Sequence, residues 1–175
     1  MSYIWKHFKT ITKHRIIVMK EMTACGLFFQ GLIHDLSKYG PIEFISSAKY
    51  FQGNKSPIEA EKEAIGYSNA WLHHKGHNKH HWEYWTDFDK DGNIICYDIP
   101  TKYVIEMVCD YIAAGKTYSK EKWTNKEPLE YFTRVRQGRH FSEKTEAMLL
   151  LLLDAIYRDG LDRFHILAKE LLSLK

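Results

Sequence analysis

Cysteine is scarce in this chain, and long apolar runs and any large excess of charge are missing; each of these excludes something. The three cysteines, Cys25, Cys96 and Cys109, form no CxxC pair, and an odd number does not build a disulfide framework. Each sits among apolar residues, as a buried free thiol in a reducing compartment would. The longest apolar run, Ala147 to Leu153, is far too short to cross a bilayer. The N-terminus shows no basic region followed by a long apolar stretch and a small-residue cleavage site, so no secretory signal is expected. A net charge of +3 is not the footprint of a dedicated nucleic-acid binder, although a local basic patch remains open. No segment is repeated, low in complexity or linker-like. The expectation is a cytoplasmic protein with no membrane element.

There is ample material for a core. Hydrophobic residues make up 45%, aromatics 14% and charged residues 27% of the 175 positions, which favours one domain over residues 1–175. Apolar residues recur at helical spacing through Ile4, Phe8, Ile11, Ile16 and Met19, which predicts a helix over Tyr3 to Ala24 with Gly26 as its stop. A short apolar helix is expected over Leu27 to Leu36, carrying His34 and Asp35 at its end, and another from Pro41 to about Phe51. Ser56 as N-cap and Pro57 at the first position predict a helix running on to about His74. A turn with a short extended segment is expected near residues 87–98. Pro100 opens a helix that contains Asp110 and loosens at Gly115. A short helix follows over Leu129 to Val135, then one capped by Ser142, then one after Asp159-Gly160. The fold class is therefore all-α: a bundle of six to eight helices with a small extended insertion.

The chemistry-bearing pattern is a series of histidines and carboxylates. It runs His14, His34-Asp35, the stretch His73-His74-Lys75-Gly76-His77-Asn78-Lys79-His80-His81, and then Asp110. Imidazole and carboxylate are the usual protein ligands of divalent first-row metals. Seven of the ten histidines fall in this series, and its patches can meet only in a folded core. Asp110 lies in a strongly apolar helical segment, where an ionised carboxylate is costly unless paired or metal-bound. Taken singly, each element is better explained as an ordinary core, surface or salt-bridge residue; their order raises the joint reading. The metal, one ion or two, can be manganese, iron, cobalt, nickel or zinc.

The order H…HD…H…H…D, with the string His34-Asp35-Leu36-Ser37-Lys38, resembles the HD-domain superfamily of metal-dependent phosphohydrolases over about residues 10 to 115. The segment Asn78 to Trp85 is similar to an uncharacterised bacterial family of HD type. The resemblance implies that His14, His34, Asp35 and Asp110 hold a first metal and that Asp35 bridges to a second. His74, His80 and His81 are chosen for the second ion, with His73 and His77 as alternates. In two-metal HD proteins the later histidines usually come from separate helices; here they lie six or seven residues apart.

The implied activity is hydrolysis of a nucleotide or another small phosphate ester, with Asp35 and Lys38 catalytic. Two alternatives stand beside it: an oxygen-activating di-iron enzyme of HD fold, and a non-catalytic module stabilised by metal. Lys38, Arg134, Arg136, Arg139, His140 and Trp82 are candidates for holding substrate, since phosphate suits Arg forks and a base can stack on an aromatic ring. Glu43 and Glu83 are candidates for orienting ligand imidazoles. The apolar stretch Leu149 to Leu153 with Ile156 reads as central core or a dimer interface, and a homodimer is a further expectation.

Overall fold

The computed structural model describes residues 3–174, among which nine α-helices and one two-stranded hairpin are found. Helix α1 (Tyr3–Ala24) stops at Gly26, whose φ of 85° suits a residue without a Cβ. Helix α6 (Thr101–Tyr118) packs along α1 and forms the centre of the bundle. Its Val104, Ile105, Val108 and Ile112 are fully buried. Around it lie Val18 and Met22 of α1, Phe132 of α7 (Glu127–Val135), and Phe164 and Ala168 of α9 (Leu161–Ser173). Helix α8 (Glu143–Asp159) is capped by the Ser142 hydroxyl, which accepts the Thr145 N–H. It buries Leu149, Leu152, Leu153 and Ile156 while Leu151 faces outward, so the apolar run is mainly a core stripe. Among the described residues no helix is long and apolar enough to cross a membrane.

Several boundaries differ from the expectation, each for a local reason. Helix α2 (Phe28–Ile33) ends before His34, and a 3₁₀ turn over Leu36–Tyr39 follows. Helix α3 (Pro41–Lys49) begins at its proline as expected. The single helix expected from Pro57 to His74 is two, α4 (Pro57–Ile65) and α5 (Asn69–His77). Gly66, at φ 84°, ends the first, and the Ser68 hydroxyl accepts the Trp71 N–H to open the second. Ser56 occupies the cap position of α4 but its side chain makes no cap bond. The extended insertion is a hairpin, β1 (Thr86–Phe88) against β2 (Ile94–Cys96), with Thr86 opposite Cys96.

Gly115 does not loosen α6; it lies inside the helix because Trp123 packs against it. A Cβ there would fall 2.7 Å from the indole of Trp123. Gly115→Ala is expected to destabilise the chain by about 1 kcal/mol or more through overpacking, read from the urea midpoint. An unchanged midpoint would show that the indole yields freely.

A buried polar junction ties α1, α6 and α9 together. Glu21 accepts from Lys116 Nζ at 2.6 Å and from His165 Nε2 at 2.9 Å. Burial opposes ionisation of Glu21, but the bonds from His165 and Lys116 outweigh it and lower the carboxyl pKa. A depressed carboxylate pKa stabilises the fold above the ordinary carboxylate range, and that stability is lost as pH falls through the folded value. Glu21→Gln is therefore expected to lose less stability than the wild type between about pH 5 and pH 3. Equal loss in the two proteins would contradict this.

Candidate metal centre

The two long helices α1 and α6, with the segments at the ends of the short helices α2 and α5, bring the histidine–carboxylate series together. Arg15 of α1 donates to the carbonyls of His34 (2.7 Å) and Leu32 (2.8 Å), which satisfies the free carbonyls at the end of α2. The chain then turns through Asp35 at φ 53°, a left-handed conformation that Asp tolerates better than most residues. Helix α1 delivers His14, α5 delivers His74, the loop after α5 delivers His80 and His81, and α6 delivers Asp110. His34, Asp35, His74 and His80 are only 1–2% exposed.

Two four-residue sets result, each with its ligand atoms within 4.8 Å of one another: His14, His34, Asp35 and Asp110, and Asp35, His74, His80 and His81. Asp35 is common to both. Its Oδ2 lies 3.2 Å from His34 Nε2, and its Oδ1 lies 3.4 Å from His74 Nε2 and 3.6 Å from His80 Nε2. His14 Nε2 stands 2.9 Å from Asp110 Oδ1. Both Asp35 oxygens and the Nε2 atoms of His14, His34, His80 and His81 are buried, and apart from ion pairs such as His14–Asp110 and Lys38–Asp35 they lack hydrogen-bond partners. An unpartnered buried polar atom costs about 1–3 kcal/mol, more when charged. Here the under-partnered atoms gather in the two sets, and their chemistry is that of a cation's ligands. The residues present therefore fit a metal ion.

The opposite ring nitrogens are held. His34 Nδ1 bonds Glu106 Oε1 at 2.8 Å and His80 Nδ1 lies 3.4 Å from the same oxygen. His74 Nδ1 and His73 Nδ1 bond the two oxygens of Glu43, each at 2.7 Å. Burial opposes ionisation of Glu106, but the His34 and His80 contacts bring its pKa down to about 2. Glu106 is thus an acceptor only, the Nδ1 atom of His34 is its donor, and Nε2 is the atom turned to the centre. His34, His80 and Glu106 also group as a possible ligand set, but Glu106 meets both rings on their Nδ1 side and so orients them.

The electrostatics are those of a carboxylate-rich pocket. Burial opposes the charge on His34, yet Asp35, Glu106 and Asp110 raise its pKa to about 10. Asp35 and Asp110 are held well below the usual carboxylate range against burial, chiefly by His34 for Asp35 and by His14 for Asp110. Burial holds the His14 and His81 imidazoles below their ordinary pKa, so both stay neutral, the form that ligates. Lys38 Nζ pairs with Asp35 Oδ2 at 2.6 Å. Burial alone would lower the Lys38 pKa, but the Asp35 and Asp110 charges raise it.

A cleft of about 820 Å³ opens beside the sets, within the usual range for small-molecule sites. His14, Lys38, His74, His80, His81 and Asp110 line it, as do Trp82, Arg134 and Arg139. Arg136 and His140 do not: Arg136 pairs with Glu146 on α8, and His140 packs its ring 5.4 Å from Trp82. His73 and His77 stack on each other at 4.0 Å outside both sets. Glu83 holds no imidazole, and its buried Oε2 has no partner.

Two residues were missed in the sequence. Glu106 lies one helical turn before Asp110 on an otherwise apolar segment, a signal that was present. His7 lies two turns before His14 on the same face of α1. It is buried between Phe44 and Phe51, with centroids at 5.2 and 5.5 Å, and lines the cleft. Neither of its ring nitrogens has a partner, and burial, with Lys38, lowers its pKa to about 4.

The model of a family of unknown function, DUF5662, matches residues 3–155, and the chain belongs to that family. No curated protein and no solved structure matches it.

Proposed function

We propose that the chain is a phosphohydrolase of HD type acting on a small phosphate ester at a two-metal centre bridged by Asp35. The observation that supports this best is the pair of ligand sets sharing one carboxylate and facing a cleft. A purely structural metal site is closed by its ligands; these sets instead border an open cleft with a cation, Lys38, in its wall. His14, His34, Asp35 and Asp110 would hold one ion, and Asp35, His74, His80 and His81 the other. Such ions supply Lewis acidity and make water nucleophilic near neutral pH.

The chain's own residues account for the rest. Lys38, kept charged by Asp35, offers a point charge to a phosphoryl group entering the cleft. Asp35, buried and ionised, can orient an attacking water. Trp82 and the tyrosines of the cleft wall offer a substrate an aromatic surface. Protein loaded with manganese or cobalt is expected to release inorganic phosphate from 4-nitrophenyl phosphate or a nucleoside monophosphate. Lys38→Met is expected to cut kcat/KM by about tenfold or more while metal content is kept. Fully loaded protein that cleaves no phosphomonoester would sink the reading. The three-histidine second set also suits iron, so oxygen consumption by iron-loaded protein alone would move the reading to a di-iron oxygenase.

A further inference from the structure

The cleft has a second cationic pole, set apart from Lys38. Arg139 follows the turn after α7 and reaches back to α6, where it donates to the hydroxyl of Tyr111 and, at 2.8 Å, to that of Tyr131. Its guanidinium also lies over both rings, 5.5 and 5.3 Å from their centroids. Arg134 lies 5.6 Å over the other contact ring, Tyr131. Tyr111 directly follows Asp110 in α6, so this pole adjoins the proposed metal centre along one helix.

Six arginines occur in the chain, and these two differ from the rest. Arg136, Arg158 and Arg163 pair with Glu146, Asp154 and Glu170, and Arg15 donates to two carbonyls. Among the described residues, neither Arg134 nor Arg139 has a carboxylate within 4 Å. Glu83 shares the cleft wall and adds to the field at Arg139, but stands beyond that distance. The phenols orient the fork without cancelling its charge, since a phenol hydroxyl is neutral near pH 7. A charged, oriented fork with no acid beside it is suited to bidentate capture of a planar or tetrahedral anion.

We propose that Arg139 and Arg134 form a subsite for a second anionic group on the substrate, a carboxylate or a further phosphate. The substrate class is then a phosphate ester whose leaving portion is itself acidic. This rests on the hydrolytic reading above and narrows it.

The test is calorimetric binding to manganese-loaded protein, so that turnover is not needed. The probes are methyl phosphate, O-phosphorylated hydroxy acids of two to four carbons, propane-1,3-diol bisphosphate, and the phosphate-free dicarboxylate glutarate. At least one doubly anionic ester is expected to bind about tenfold or more tighter than methyl phosphate. Arg139→Gln should abolish that gain and Arg134→Gln should reduce it, with metal content and melting temperature kept. Arg134 is exposed, so its variant tests the subsite without disturbing packing. The carboxylate and bisphosphate arms tell which anion is preferred. Equal affinity for all phosphorylated probes, or a gain that survives both substitutions, would overturn the subsite. If glutarate binds through Arg139 while no phosphate ester binds, the subsite stands and the hydrolytic reading falls. If nothing binds, both fall.

Discussion

Replacing Asp35 with Ala is expected to strip the protein of all its bound metal, not of half. Asp35 is the one residue common to both ligand sets, with Oδ2 turned toward His34 and Oδ1 toward His74 and His80. Removing it leaves each set with three ligands and takes the bridging charge from both. Changing an outer partner of a metal site typically weakens metal affinity by about 10–100-fold, and a shared ligand is expected to cost more than that. The substitution also puts Ala at a left-handed position, φ 53°, at a cost of about 1–2 kcal/mol. Asp35→Asn separates the two effects, because Asn tolerates that conformation and lacks the charge. Both variants should keep near-native helical content by circular dichroism and lose metal in elemental analysis. Full retention of metal by Asp35→Asn would show that the carboxylate is not a shared ligand.

Glu106→Gln is expected to weaken both sites together, by about 10–100-fold each. Glu106 Oε1 faces the Nδ1 atoms of His34 and His80, one ring from each set. An ionised acceptor there fixes the proton on Nδ1 and leaves Nε2 for the metal; an amide can present its NH₂ instead and turn the ring. Glu43→Gln provides the contrast. Glu43 holds His74, a member of the second set alone, together with His73, which belongs to neither. It should weaken one site and spare the other. Metal titrations of the two variants, followed by competition with a chromophoric chelator, distinguish the patterns. Identical effects of Glu106→Gln and Glu43→Gln would contradict the assignment of outer partners.

Much of this centre was legible in the residues, and the exceptions are instructive. The resemblance put His14 and Asp110 in one ligand set, and the two meet at 2.9 Å; each lies in an apolar helical segment, where a buried polar residue needs a partner. The separation of α4 from α5 was not legible. Periodicity runs through both, and only the left-handed Gly66 and the Ser68 cap divide them. The same kind of local geometry governs His34 and Asp35. On one continuous helix, adjacent side chains diverge by about 100°; with α2 ending at Ile33 and Asp35 left-handed, they reach the same centre. Spacing alone carries no trace of that turn. Arg136 looked equivalent to Arg134 and Arg139, yet Glu146 captures it from α8, a long-range contact that no local pattern reports. Glu106 was legible in principle, as an acid one turn from Asp110. It escaped because glutamate is common in helices and only burial makes it unusual.

The central claim is that one buried carboxylate joins two metal sites. Its most direct test is a manganese titration of tag-free protein followed by electron paramagnetic resonance. Wild-type protein is expected to bind two ions per chain and to show the exchange-coupled signal of a carboxylate-bridged pair, while His81→Ala should bind one and show only an isolated ion. Two uncoupled ions, or saturation at one ion in the wild type, would contradict it.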